Sequence, residues 1–169
     1  MNKGVQLGLY APETERDSCG IGCVANINGA KSHDVISDAI TMLERMEHRG
    51  GTGSDPDTGD GAGILIQISH SFFKGVTEEL GIALPAQGTY GIGMIFFPRD
   101  KKVREECRSK FNEYIDDQGF ELLGYREVPV DNKVPGKGAT AVEPVIEQVF
   151  LKRKFDALIG DDFERKLFV

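Results

Sequence analysis

Beginning at residue 19, the chain alternates. Cys19, Ile21, Cys23, Ala25 and Ile27 fall on one side of an extended segment, and Gly20, Gly22, Val24 and Asn26 on the other. This period of two predicts a buried strand over 19–27. Asn28-Gly29 predicts a type I′ turn after it, because both central positions of that turn need positive φ. Ser32 is placed to cap a helix running to about His48, with Val35, Ile36, Ala39, Ile40, Leu43 and Met46 on one face, stopped by Gly50-Gly51. A second strand is expected over 64–68, a short helix over 69–80 ending near Gly81, and a third strand over 90–97. Asp100 caps a helix with Val103, Cys107, Phe111, Tyr114 and Ile115 inward, closed at Gly119. Another strand is expected over 120–129 and a polar loop over 131–140. Residues 145–152 fit a strand and almost as well a helix. Phe155, Leu158, Ile159, Phe163 and Leu167 have helical spacing. Residues 1–18 show neither period and read as an extended leader. Strands and helices mix in an α+β order.

Composition narrows the function. The chain has 169 residues, net charge -7 and a pI near 5.0, so it lacks the basic surplus that a nucleic acid or an anionic membrane would select. No apolar run approaches the ~20 residues of a membrane span. The N-terminus has no apolar core of a secretory signal. Three cysteines, an odd number, argue against a disulfide framework and fit a reducing cytoplasm. The last residues, Leu-Phe-Val, end a helical pattern without a cap, which reads as a chain cut from something longer; a natural C-terminal helix docked on the core is the alternative.

The chemistry centres on Cys19. It opens a predicted strand and is followed by Gly-Ile-Gly, where two glycines let a substrate approach the backbone. If residues 1–18 are removed, Cys19 carries a thiol and a free α-amine, with reference pKa values of about 8.5 and 7.7–8.0. The amine can then take the thiol proton, so one residue supplies nucleophile and base. With Ser18 attached, the same nitrogen is an amide and cannot act as a base. The residues alone favour a small buried cysteine opening a strand, because free cysteine is commonly buried.

Other patterns fail. Asp55, Asp57 and Asp60 sit in a Gly/Asp loop, but an EF-hand started at Asp55 needs Gly and Glu where Asp60 and Ile66 stand. Asx turns account for these aspartates, and no metal is expected. Gly20-x-Gly22-x-x-Ala25 formally matches a dinucleotide fingerprint, but no strand precedes it and no helix follows. Cys19 and Cys23, ~13 Å apart on a strand, are too far apart to share a metal. Cys107 reads as core. His33, His48 and His70 are scattered, and none makes a papain-like pair with Cys19.

Four segments in order, GLYAPETERDSCGIGCVANINGAKSHDVI, LERMEHRGGTGSDPDTGDGAGILIQI, YGIGMIFFPRD and YREVPVDN, resemble the start of the glutamate synthase large subunit. That family opens its mature chain with Cys-Gly-[IV]-Gly, and Cys19 matches the nucleophile. The resemblance implies a class II glutamine amidotransferase domain over residues 19–169, preceded by a propeptide over 1–18. The implied fold is that of the N-terminal-nucleophile hydrolases, antiparallel sheets sandwiched between helical layers, here in part. The implied reaction is hydrolysis of L-glutamine through a cysteinyl thioester, feeding ammonia to a separate site that aminates 2-oxoglutarate.

Related amidotransferases hold a mobile loop with an Arg-Gly pair over the glutamine, which places Arg49 and Gly50 as substrate-binding residues. Complementing the helix dipole is an equal reading of Arg49. Implied partners are the remaining domains of the large subunit and a small reductase subunit. Implied cofactors, FMN and an iron–sulfur cluster, belong to the parent enzyme and not to this segment. The family's Asn-Gly oxyanion motif and later carboxylate-binding Arg have no match before Val169, so the 169 residues alone are expected to have little or no glutaminase activity. Another class II amidotransferase, serving nucleotide or amino-sugar synthesis, remains an alternative, as does a non-catalytic regulatory or scaffold module of the same fold.

Overall fold

A short polar side chain ahead of an apolar-periodic segment satisfies amide groups that the first helical turn leaves open. Ser32 does so in the computed structural model, which describes residues 19–51, 55, 57–59, 61–154 and 161–168. Its Oγ accepts from the Asp34 amide at 3.0 Å and starts α1, His33–Arg45. A 3-10 turn, Glu47–Arg49, carries the chain on to Gly50, whose amide donates to the Glu47 carbonyl at 3.0 Å. The helix expected to reach about His48 is therefore an α-helix extended by a 3-10 turn.

The chain divides into two compact units, residues 1–66 and 67–169. In the first, the two expected strands are absent. Residues 19–27 and 64–68 have no ladder, and Ile21, Ile27 and Leu65 are almost wholly exposed. An alternating segment becomes a strand only when a neighbouring strand takes its backbone hydrogen bonds, and among the described residues no strand pairs with either segment. The turn also differs from the expected type. Asn26 and Gly29 bracket it, with the Gly29 amide on the Asn26 carbonyl at 3.0 Å, and of the two predicted positive-φ positions only Gly29, at 68°, is positive. The apolar face of α1 is half-buried at Val35, Ile36, Ala39, Leu43 and Met46, while Ile40 is exposed.

The second unit holds a three-stranded antiparallel sheet. Its elements are α2 His70–Glu79, β1 Tyr90–Phe97, α3 Lys101–Asp117, β2 Phe120–Glu127, α4 Lys137–Val142, β3 Val145–Arg153 and α5 Asp161–Leu167. Gly81 and Gly119 close α2 and α3 as expected, at φ 71° and 76°. Residues 145–152, open between two readings, form the central strand. The loop expected over 131–140 gives way to α4 from Lys137. Phe163 and Leu167 lie on α5; Phe155, Leu158 and Ile159 fall outside the described residues, as do 1–18.

Strand order is β1-β3-β2. Both outer strands run antiparallel to β3, with Ile95 opposite Glu147 and Tyr125 opposite Val149. Hence β1 and β2 are parallel to each other, joined through α3 and split by β3. Successive residues of β3 face opposite sides. Val149, 1% exposed, packs with Ile115 of α3, Phe120 and Phe163 of α5. Phe150, 0% exposed, meets Phe73 of α2 edge-on at 5.8 Å. α3 and α5 therefore cover one face and α2 the other. The α+β class holds; among the described residues there is one such sheet.

α3 is rotated from its expected setting. Asp100 caps it, accepting from the Val103 amide at 2.9 Å. Yet Val103, Cys107 and Tyr114, expected inward, are exposed. The inward face runs through Arg104, Arg108, Phe111, Asn112 and Ile115. The sheet beneath presents Glu147 and Tyr125, and the polar helix face offers each a hydrogen-bond partner, Arg108 and Asn112, where Cys107 offers none.

The two outer edges of the sheet differ. β2 carries Glu121, Arg126 and Glu127 and a bulge between Leu122 and Gly124, features that discourage strand addition. β1 carries no charge, and its Met94 and Phe96 are 51% and 63% exposed. Phe96→Lys should therefore reduce concentration-dependent association of the chain, read by light scattering. Its stability should change by no more than ~0.5 kcal/mol, as for other surface substitutions. Unchanged association would show that this edge is not adhesive.

Candidate active site

Residues 19–26 lead from Cys19 into the turn that precedes α1. Asn26 organises the turn. Its Oδ1 accepts from the Asn28 amide at 2.9 Å and the Ala30 amide at 3.4 Å. Gly22 lies against α1 so closely that a Cβ there would come within 2.2 Å of Met42 Sδ. Any larger residue at 22 must displace the flexible end of Met42. The space at Gly22 that the sequence offers to a substrate is filled by Met42.

Cys19 is exposed, as are Cys23 and Cys107. All residues from 19 to 31 are exposed except half-buried Val24. The described part of this unit therefore presents the thiol at an open surface and builds no enclosed pocket around it. With Ser18 attached, the Cys19 nitrogen is an amide, and the chain as it stands has no amine base at this position.

Arg49 ends the 3-10 turn and Gly50 caps it, with extended backbone at φ -86° and ψ 156°. The Arg49 side chain lies outside the described residues. Cys19 precedes α1 and the Arg49-Gly50 pair follows it, so one helix separates the expected nucleophile from the expected substrate-binding pair. His48 Nδ1 lies 3.0 Å from the Arg45 carbonyl, a contact that closes the end of α1.

In the Gly/Asp loop, Asp55 Oδ1 accepts from the Asp57 amide at 3.1 Å, and Asp55 Oδ2 from Thr58 Oγ1 at 3.1 Å. These are the turn-stabilising bonds expected of a short carboxylate. Asp60 is outside the described residues. Among the described residues no three Cys, His, Asp or Glu side chains converge as metal ligands. No described helix is long and apolar enough to cross a membrane.

Reasoning from the sequence missed Asn26. The signal was present: an asparagine two residues before Asn-Gly is placed to accept from the turn's own amides. It also missed the pairing of half-buried Arg108 with buried Glu147, for which the sequence offers no spacing rule, because the two lie on different elements.

Comparison with known proteins fits this arrangement. The class II glutamine amidotransferase profile matches residues 19–169, so its match begins at the candidate nucleophile. The chain is 43% identical over 162 residues to the glutamate synthase [NADPH] large chain of Bacillus subtilis, covering 96% of this chain and 10% of that protein. It is 38% identical over 156 residues to ferredoxin-dependent glutamate synthase 2 of Arabidopsis thaliana, covering 92% and 10%. It is 39% identical over 166 residues to glutamate synthase [NADH] of Schizosaccharomyces pombe, covering 95% and 8%. The chain thus spans about a tenth of the length of these relatives, and the matched stretch is their N-terminal region. By the profile that spans all but its first eighteen residues, the chain belongs to the class II glutamine amidotransferases.

Proposed function

We propose that this chain is the glutamine-hydrolysing region of a glutamate synthase large chain, with Cys19 as nucleophile. The observation that carries the reading is the family match that starts at Cys19, together with identity to glutamate synthases over nearly the whole chain. Residues 1–18 act as a propeptide. Their removal converts the Cys19 nitrogen from an amide into an amine able to accept the thiol proton. The Cys19 sulfur then adds to the side-chain amide carbon of glutamine. The amine passes the proton to the departing nitrogen, ammonia leaves, and a thioester remains. Water attacks the thioester, glutamate departs and the thiol is restored. Arg49 and Gly50 hold the substrate's carboxylate and the loop over it.

The full domain completes the sandwich of antiparallel sheets typical of N-terminal-nucleophile hydrolases and works in the cytoplasm. The released ammonia serves the 2-oxoglutarate amination site in other domains of the large chain, where the flavin and iron–sulfur cluster belong, assisted by a small reductase subunit. The three relatives name NADPH, ferredoxin and NADH at comparable identity. This stretch of sequence therefore does not discriminate the electron donor.

The test uses the full-length protein and a diazoketone analogue of glutamine, followed by peptide mapping and N-terminal sequencing. All three cysteines are exposed, so exposure alone gives no selectivity. Labelling confined to Cys19, in a chain whose N-terminus is Cys19, is the expected result. Active enzyme that retains residue 1 or 2, or labelling at Cys23 or Cys107, would sink the assignment.

A further inference from the structure

The inner face of α3 changes character along its length. Its C-terminal half carries Phe111 and Ile115, packed on the cluster around Phe120, Val149 and Phe163. Its N-terminal half carries arginines. Arg104 Nη1 donates to the carbonyls of Pro98 and Arg99 at 3.1 and 3.0 Å, which ties the helix to the end of β1. Arg108 Nη2 donates to Glu147 Oε1 on the central strand. The Arg108 guanidinium carbon also lies 4.9 Å from the Tyr125 ring centre and 5.7 Å from that of Phe97. Tyr125 donates its hydroxyl hydrogen to Asn112 Oδ1 at 2.6 Å, one helical turn further on.

The pair is expensive to bury. The side chain of Glu147 is 7% exposed and that of Arg108 34%. Arg108 Nε and Glu147 Oε2 are buried without a partner. The fork of the guanidinium therefore makes one of the two bonds to the carboxylate that its shape allows. Desolvating a half-satisfied ion pair is a poor source of net stability, and apolar residues of similar volume do as well or better.

What the pair supplies is position. Apolar contacts at Phe111 and Ile115 are non-directional and do not by themselves fix the helix along its axis. A slide of one turn in one direction brings Asn112 to Glu147 and leaves a buried carboxylate without a cation. The other brings Arg104 there, at the loss of its two carbonyl partners and of the Tyr125–Asn112 bond, and drives Arg108 towards the apolar cluster. We propose that the Arg108–Glu147 pair selects the register in which α3 docks on the sheet and is not a net source of stability.

The test is a double-mutant cycle on the whole chain with Arg108→Met, Glu147→Leu and both together. Removing one partner strands the other charge. Each single variant should lower the folding equilibrium constant, Arg108→Met by on the order of a hundredfold. Glu147→Leu should cost less, because Arg108 retains some water. The double variant should return to within about tenfold of the parent or exceed it. At that matched stability, hydrogen exchange should show α3 amides less protected relative to β3 than in the parent. A double variant whose loss equals the product of the single losses overturns the proposal. So does a double variant with restored stability and parental protection in α3. If a single variant fails to fold, the comparison of the double variant with the parent still decides.

Discussion

Cys19→Ala in the full-length protein is expected to abolish glutamine-dependent glutamate synthesis, a loss on the order of a thousandfold or more, as when the nucleophile of a covalent mechanism is removed. Ammonia-dependent synthesis should persist within a factor of about two, because the proposed amination site lies in other domains and receives ammonia from solution. The split between the two activities carries the argument. A misfolded enzyme loses both, and a cysteine with a purely structural role changes both in parallel. Steady-state assays with glutamine and with ammonium salts on one preparation measure it. Equal loss of both activities would remove Cys19 from the role of nucleophile.

The expectation rests on chemistry that one stretch of sequence makes legible. Cysteine before Gly-Ile-Gly, behind a polar leader, is what the proposed mechanism needs: an amine and a thiol that would act together once the leader is removed. The resemblance of the surrounding segments to glutamate synthases then directs that chemistry to glutamine, and the family match agrees. Geometry around the thiol was less legible. Alternation over 19–27 is a sound strand signal, but a strand is a property of two chains of backbone, and the described residues supply no neighbour. The same holds for residues 64–68. Local signals depending on a single residue and its own amides held: Ser32 and Asp100 cap their helices, with side-chain bonds of 3.0 and 2.9 Å.

The orientation of α3 shows a second limit. Hydrophobic spacing placed Cys107 and Tyr114 inward. The partner surface reversed this by presenting a carboxylate and a phenol. Burial pushes the Tyr125 phenol up to about 12, with Arg108 opposing the rise and Glu147 adding to it. A helix facing an apolar sheet would have followed its hydrophobic stripe. Here the sheet's polarity belongs to β2, which follows α3, and to β3, 39 residues from Arg108, and no window along α3 contains it. Periodicity reads a helix against an assumed apolar neighbour, so it fails where the neighbour carries charge.

Phe150→Ala should be the most damaging core substitution in this chain, at a cost of about 3–5 kcal/mol. Phe150 is fully buried on the central strand, opposite Ile92 of β1 and Gly124 of β2, and meets Phe73 edge-on. Truncation leaves a cavity between the sheet and α2, and β3, held by hydrogen bonds on both sides, cannot collapse into it. Phe150→Leu retains most of the volume and should cost well under half as much. The useful contrast is Ile27→Ser, which removes an equally apolar side chain that is 100% exposed and should change stability by no more than ~0.5 kcal/mol. Urea unfolding of the three variants, with slopes unchanged from the parent, measures all of these on one scale. Among the described residues, every buried side chain, from Thr77 to Phe163, belongs to the second unit. Comparable losses from Phe150→Ala and Ile27→Ser would show that the cooperative core extends into the unit that bears Cys19, and the description of a core confined to residues 67–169 would fall.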